Sequence, residues 1–281
     1  IKALETNLGC QLVDRLGKKI VLTPSGEILR SHAKTILAQM QEAHQNLVNF
    51  NQPGHGRLRI GASVAICQHI LPHVLRELKE SFPDYEISVT SGDAQNLIDL
   101  LNESEIDLAV TLALPNSPGN RFGFHQLFTD RLAYLMSPMH PLARKKRIAP
   151  AELADHQLIF YQRDSETYRL TESFFQHHNV SLKASMELAS MAAIKEMAKI
   201  GMGIGIVAPW IALDEIELGS LVVKHTGDAS MQRTWGIYLD DSRASNLPQD
   251  VFVGICRTVC DTTLLREKSL TSSKSIQSLA G

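Results

Sequence analysis

The sequence predicts an α/β protein led by one long helix, and two observations carry that reading. Over residues 23–50 apolar side chains recur with spacings that alternate between four and three. From Arg57 onward short apolar strands alternate with amphipathic helices. The first pattern is a helix that packs along a partner helix; the second is a sheet with helical crossovers.

The long helix is expected from Thr23 to about Phe50. Its stripe runs through Leu29, Ala33, Ile36, Met40, Ala43, Leu47 and Phe50. Thr23 suits the N-cap, Pro24 the first helical position and Glu27 the positive end of the helix dipole. The cluster Asn51-Gln52-Pro53-Gly54-His55-Gly56 ends it. A helix of this length needs its stripe covered. The same helix of a second subunit would cover it; burial inside one domain is the other reading.

Ahead of it, Ile1 to Leu8 reads as a helix with Ile1, Leu4 and Leu8 on one face and Gly9 as C-cap. A tight turn at Leu16-Gly17-Lys18-Lys19 leads into the strand Ile20-Val21-Leu22. Helix, small hairpin, helix is the outline of a winged helix. Its cations Lys2, Arg15, Lys18 and Lys19 suit phosphate contacts, although a solvated turn with a few lysines would look the same.

Bulk properties point to no particular partner. The 281 residues suffice for more than one domain, and 28 Lys and Arg against 30 Asp and Glu give a net charge of −2. Cys10, Cys67, Cys256 and Cys260 show no zinc or redox spacing, so reduced cytosolic thiols are expected. There is no apolar run long enough to span a bilayer and no signal peptide, so a cytoplasmic protein without a membrane partner is expected. Ile1 falls inside a helical pattern, so the chain is expected to begin partway into a longer one.

In the α/β part the expected strands are 58–62, 85–90, 106–111, 131–136, 158–161, 186–188, 206–208 and 234–239. Helices are expected at 70–82, 94–102, 192–200 and from Asp250 to about Leu265, with a short one opening at 148–153 and another leading to about His178. The alternation predicts parallel sheets with right-handed crossovers, whose ligands lie beyond the carboxyl ends of the strands. Ser63, Ser91 and Thr111 occupy three such ends; each could be a helix cap or an anion contact. The segment Gly201-Met202-Gly203-Ile204-Gly205 follows a helix and precedes a strand, which fits a C-cap with close packing better than a dinucleotide loop. The Ser-rich stretch from Lys268 to Gly281 is expected to be mobile.

The string Ile1-Lys2-Ala3-Leu4-Glu5, Leu8-Gly9, Leu12-Val13-Asp14-Arg15 and Val21-Leu22-Thr23-Pro24-Ser25-Gly26-Glu27 resembles the LysR-type transcriptional regulators, with Val13 and Ser25 in place of the usual Phe and Ala. Leu58-Arg59-Ile60-Gly61, Leu71-Pro72, Phe82-Pro83, Asp107-Leu108-Ala109-Val110, His140-Pro141-Leu142, Ala193-Ile194-Lys195 and the 201–205 glycines with Pro209 continue it to about residue 262. Arg163 to Arg169 is similar to a stretch of relatives that regulate carbon or amino-acid metabolism, without its glycines.

The resemblance implies a partial winged helix-turn-helix over 1–23, a linker and dimerisation helix over 24–50, and a hinge over 51–57. It implies an effector domain over 58–262 like the type 2 periplasmic binding proteins, with lobe I at about 58–130 and 233–262, lobe II at about 131–232, and a tail from 263. Lys2, Arg15, Lys18, Lys19 and Thr23 would approach DNA, and the family's base-reading residues would precede Ile1. Ser63, Val64, Ala65, Ser91, Gly92, Thr111, Ser190 and Met191 would surround the effector, an organic acid or phosphorylated metabolite. Promoter DNA, a homodimer or tetramer and RNA polymerase are the implied partners. No catalytic residue, cofactor or metal is expected: His69 and His73 lack the glutamate of a zinc helix, and neither a nucleophile elbow nor a P-loop is present. A solute-binding protein without a DNA role is the alternative.

Overall fold

The computed structural model describes residues 1–17, 19–51, 56–114, 122–181, 184–241 and 247–277. The helix α1 (Lys2–Leu8) ends at Gly9, whose φ of 67° is the left-handed cap that glycine takes without strain. The strands β1 (Val13–Leu16) and β2 (Lys19–Leu22) form an antiparallel hairpin. Glu5 ties helix to hairpin by accepting the N–H groups of Leu12 and Val13 at 2.8 and 3.3 Å. Lys18 and the 52–55 part of the expected hinge lie outside the described residues.

The long helix α2 (Pro24–Asn51) starts where expected. The Thr23 hydroxyl accepts the Gly26 N–H at 3.0 Å and donates to the Gln11 carbonyl at 2.7 Å, so it caps the helix and holds the hairpin. Gly26 is required by contact: a Cβ there would lie 2.0 Å from the Leu12 carbonyl oxygen. Where it is described, the apolar stripe is largely open and not folded into the chain's own core. Leu29 and Ala33 are half-buried, whereas Ile36 and Met40 are 57 % and 65 % exposed, with Ile28 and Leu37 beside them at 64 % and 60 %. The side chains of Ala43, Leu47 and Phe50 lie outside the described set.

Two five-stranded sheets follow. β3 (Gly56–Ala62), α3 (Val64–His69), α4 (Leu71–Ser81), β4 (Tyr85–Ser91), α5 (Ala94–Asn102) and β5 (Leu108–Leu112) build lobe I. β6 (Phe122–Arg131) completes the outward path, and β7 (Ala133–Met136) already belongs to lobe II. Lobe II continues with β8 (Leu158–Tyr161), α6 (Glu166–His177), β9 (Ala184–Leu188), α7 (Met191–Lys199), β10 (Ile204–Val207), α8 (Leu213–Glu217) and β11 (Val222–His225). β12 (Gln232–Asp240) returns to lobe I, and α9 (Leu247–Gln277) closes the chain.

The sheet orders are β4-β3-β5-β12-β6 and β11-β7-β10-β8-β9. Each is mixed rather than parallel. β3, β4 and β5 run parallel, as do β8, β9 and β10; β12 is antiparallel to β5 and β6, and β7 to β10 and β11. The antiparallel members are the strands that carry the chain between lobes, which enter without a helical crossover. The glycines at 201–205 serve packing: Gly201 has φ 83°, and a Cβ on Gly203 would sit 2.7 Å from the Gln157 carbonyl oxygen.

The expectation of a mobile tail is corrected for residues 268–277, because α9 runs to Gln277; residues 278–281 lie outside the described residues. Leu264 and Leu270 pack against the core, and Arg266 reaches Asp214 and Glu217 of α8 at 2.8 and 2.5 Å. Among the described residues no helix is long and apolar enough to cross a membrane.

Candidate functional site

The carboxyl ends of β3, β4 and β5 face those of β8 and β10 across a cleft between the lobes, with a cavity of about 170 Å³. Such crevices are where ligands of open α/β sheets bind. The volume is below the range of drug-sized sites, so it suits a small metabolite.

Lobe I presents Ser63, Val64 and Ala65 at the start of α3, Gly92 to Gln95 at the start of α5, and Thr111 on β5. Ser63 donates its backbone N–H to the Val110 carbonyl at 3.1 Å, yet its hydroxyl is buried and has no partner among the described residues. A buried hydroxyl without a partner is costly unless a ligand or water supplies one. Lobe II presents Tyr161, the segment Asp164 to Thr167, Arg169 and Met191. Burial pushes the Tyr161 phenol up, and the Asp164 and Asp93 carboxylates push it further.

Of the residues expected around an effector, Ser63, Val64, Ala65, Gly92, Thr111 and Met191 therefore line the cleft. Ser91 and Ser190 do not. Ser91 is the last residue of the edge strand β4 and is exposed, like the three residues before it. The Ser190 hydroxyl is taken as the N-cap of α7, accepting the Ala193 N–H at 3.3 Å. Sequence reading missed Asp93, Tyr161, Asp164, Glu166, Arg169 and Arg233. A signal existed for 164–169 in the Arg163–Arg169 stretch; for Arg233 there was none.

The cleft floor is a buried polar knot. Arg233 gives its Nε–H and an Nη2–H to Asp130 at 2.9 and 2.5 Å and an Nη1–H to the Thr167 hydroxyl at 2.7 Å. The indole N–H groups of Trp210 and Trp235 also donate to Asp130, at 2.7 and 2.9 Å. Thr167 and Trp210 belong to lobe II, so the knot joins the two strands that cross between lobes to the far lobe.

The DNA-facing candidates Lys2, Arg15 and Lys19 are exposed on α1 and the hairpin. Thr23, also placed among them, has its hydroxyl engaged as described.

The LysR substrate binding domain model matches residues 51–261. The chain belongs to that family. Among curated relatives, the HTH-type transcriptional activator CmpR of Synechocystis sp. is 26 % identical over 255 residues, covering 90 % of this chain and 82 % of its own. A full-length OxyR variant from Pseudomonas aeruginosa superposes with a TM-score of 0.71 at 22 % identity, over 92 % of this chain and 86 % of that one. The Synechocystis CcmR regulatory domain in complex with 2-PG gives 0.65 at 22 % identity, over 73 % of this chain and 97 % of that one. The protein is thus a LysR-type transcriptional regulator: both lobes lie within the span that matches the family's substrate binding domain, and the hairpin and α2 precede it.

Proposed function

We propose that this regulator binds a small acidic metabolite in the inter-lobe cleft and alters promoter binding as an oligomer, in the cytoplasm and without catalysis. One observation carries the ligand assignment: the Ser63 hydroxyl is buried in the cleft wall with no partner among the described residues. The 2-PG held by the CcmR regulatory domain, a neighbour in fold, supports an organic acid or phosphorylated compound as the effector, and relatives named as RuBisCO transcriptional regulators support carbon metabolism, ahead of amino-acid metabolism, as its setting. The open stripe of Ile36, Leu37 and Met40 supports dimerisation through α2, with a dimer of dimers as its extension. Dimer symmetry would match half-site symmetry in the DNA, with Lys2, Arg15, Lys18 and Lys19 at phosphates. A ligand that binds the closed lobes more tightly than the open ones shifts the population and re-places the DNA modules, and thereby any contact with RNA polymerase. A solute-binding role alone leaves the exposed helix and the basic hairpin without a purpose.

The test is a thermal-shift panel of metabolic acids and phosphate esters on wild type and Ser63→Leu, paired with DNA mobility shift. Stabilisation of wild type by a compound that leaves Ser63→Leu unmoved, with DNA binding retained, is expected. Loss of ligand response and DNA binding together would count against the assignment. Lys18→Ala with Lys19→Ala should lower DNA affinity and reduce the salt slope by about one per lost phosphate contact.

A further inference from the structure

The cleft carries more acid than base. Asp93, Asp164 and Glu166 line it, with Asp130 directly behind, against Arg169 and Arg233. Both cations are already engaged. Arg233 is held by Asp130 and Thr167. Arg169 bonds the Glu166 carboxylate at 2.9 Å and the Asp164 carbonyl at 3.0 Å. By contrast, the Asp164 carboxylate has no partner among the described residues. Asp93 spends one oxygen on the Asn96 N–H at 2.8 Å as cap of α5. The two aspartates come from opposite lobes and flank the same phenol, that of Tyr161.

This field discriminates between ligands. A dianionic phosphate ester would bring like charge against two carboxylates with no unneutralised cation opposite, an arrangement that disfavours the charged form. A ligand with separated charges would not. The independent sign of a ligand in the same cavity is the buried Ser63 hydroxyl, which has no partner among the described residues.

We infer that the effector is a small zwitterion, an amino acid whose carboxylate is received beside Ser63 on the lobe I wall and whose ammonium lies between Asp93 and Asp164. This rests on the reading of the cleft as the effector site; it keeps the carboxylate of that reading and sets its phosphorylated compounds aside. It also supplies a reason for closure: an ammonium placed between carboxylates of opposite lobes attracts both of them. The ligand then has the differential affinity for the closed state that a population shift requires.

The test measures the Tm of the whole chain with each common L-amino acid and with the matching 2-hydroxy acid, alongside 2-phosphoglycolate. At least one amino acid should stabilise wild type while its hydroxy counterpart binds about tenfold or more weakly, the scale of a charge-assisted hydrogen bond. Asp164→Asn and Asp93→Asn should each weaken that amino acid by a similar factor; asparagine keeps the cap at position 93, so folding is preserved. If hydroxy acids or 2-phosphoglycolate bind better than every amino acid, and Asp164→Asn tightens them, the zwitterion is wrong while the cleft assignment survives. If no compound in any series stabilises wild type over Ser63→Leu, both fall.

Discussion

Asp130 and Arg233, 103 residues apart, meet as a two-bonded ion pair with side-chain exposures of 0 % and 6 %. Asp130 ends the outgoing crossover strand and Arg233 begins the returning one. The pair therefore sits at the pivot about which the lobes would close, and Thr167 and Trp210 fasten it to lobe II. Removing one partner strands the other charge in the interior. Arg233→Met should cost about 3–5 kcal/mol in urea denaturation, and adding Asp130→Asn should restore part of it. A cost below about 1 kcal/mol for the single variant would mean the pair is not the hinge anchor its burial implies.

Glu267 on α9 gives a pH dependence. Burial, then the Asp130 carboxylate, raises its carboxyl from 4.5 to about 7, with Lys268 opposing. The folded state binds this proton more tightly than the unfolded chain does. The contribution is therefore fully favourable below about 4.5 and is lost as pH rises toward 7, by at most about 3 kcal/mol. Glu267→Gln should flatten the Tm profile between those values and exceed wild type above pH 7. Parallel profiles for the two proteins would show that the carboxyl titrates normally.

Gly26→Ala should destabilise, against the usual sign for glycine in a helix. Alanine normally gains about 0.5–1 kcal/mol there. Here the added methyl would meet the Leu12 carbonyl at 2.0 Å, an overpacking that costs about 1–3 kcal/mol. Hydrogen exchange in β1 and β2 reads it out directly: protection should fall. Unchanged protection would mean that α2 can slide away from the hairpin freely.

Lys34 links α2 to lobe I, reaching Glu103 and Glu105 at 2.6 Å each. These side chains are between a third and a half exposed, so each pair is worth under about 1 kcal/mol. Lys34→Ala should leave global stability nearly unchanged while speeding amide exchange in α2. The difference should fade near 1 M salt, where the screening length falls to about 3 Å. A difference that persists in salt would assign the contact to packing instead.

How far the residues could be read depended on whether their signal was periodic. Leu29 to Met40 and the helix at 71–81 follow a repeat. β6 escaped notice because its alternation is interrupted by a bulge opposite Trp235 and Gly236. α9 was cut short because Ser and Thr in its last turns resemble a linker, whereas Thr262, Thr263 and Thr271 donate their hydroxyls to carbonyls one turn back. Chain position puts Ser91 at a strand end, yet β4 is the edge strand and its last four residues are all exposed, which local sequence does not reveal.

The amino-acid order alone determined the long helix with its open stripe, the basic hairpin and the α/β alternation, because each is a local pattern that recurs within a few residues. Only the folded chain decided that Asp130 meets Arg233, that α9 presses Glu267 toward them, and that Asp93 and Asp164 face one cleft from opposite lobes. Those contacts join residues far apart in sequence and obey no period. They arise where two sheets are brought together by strands that cross between them.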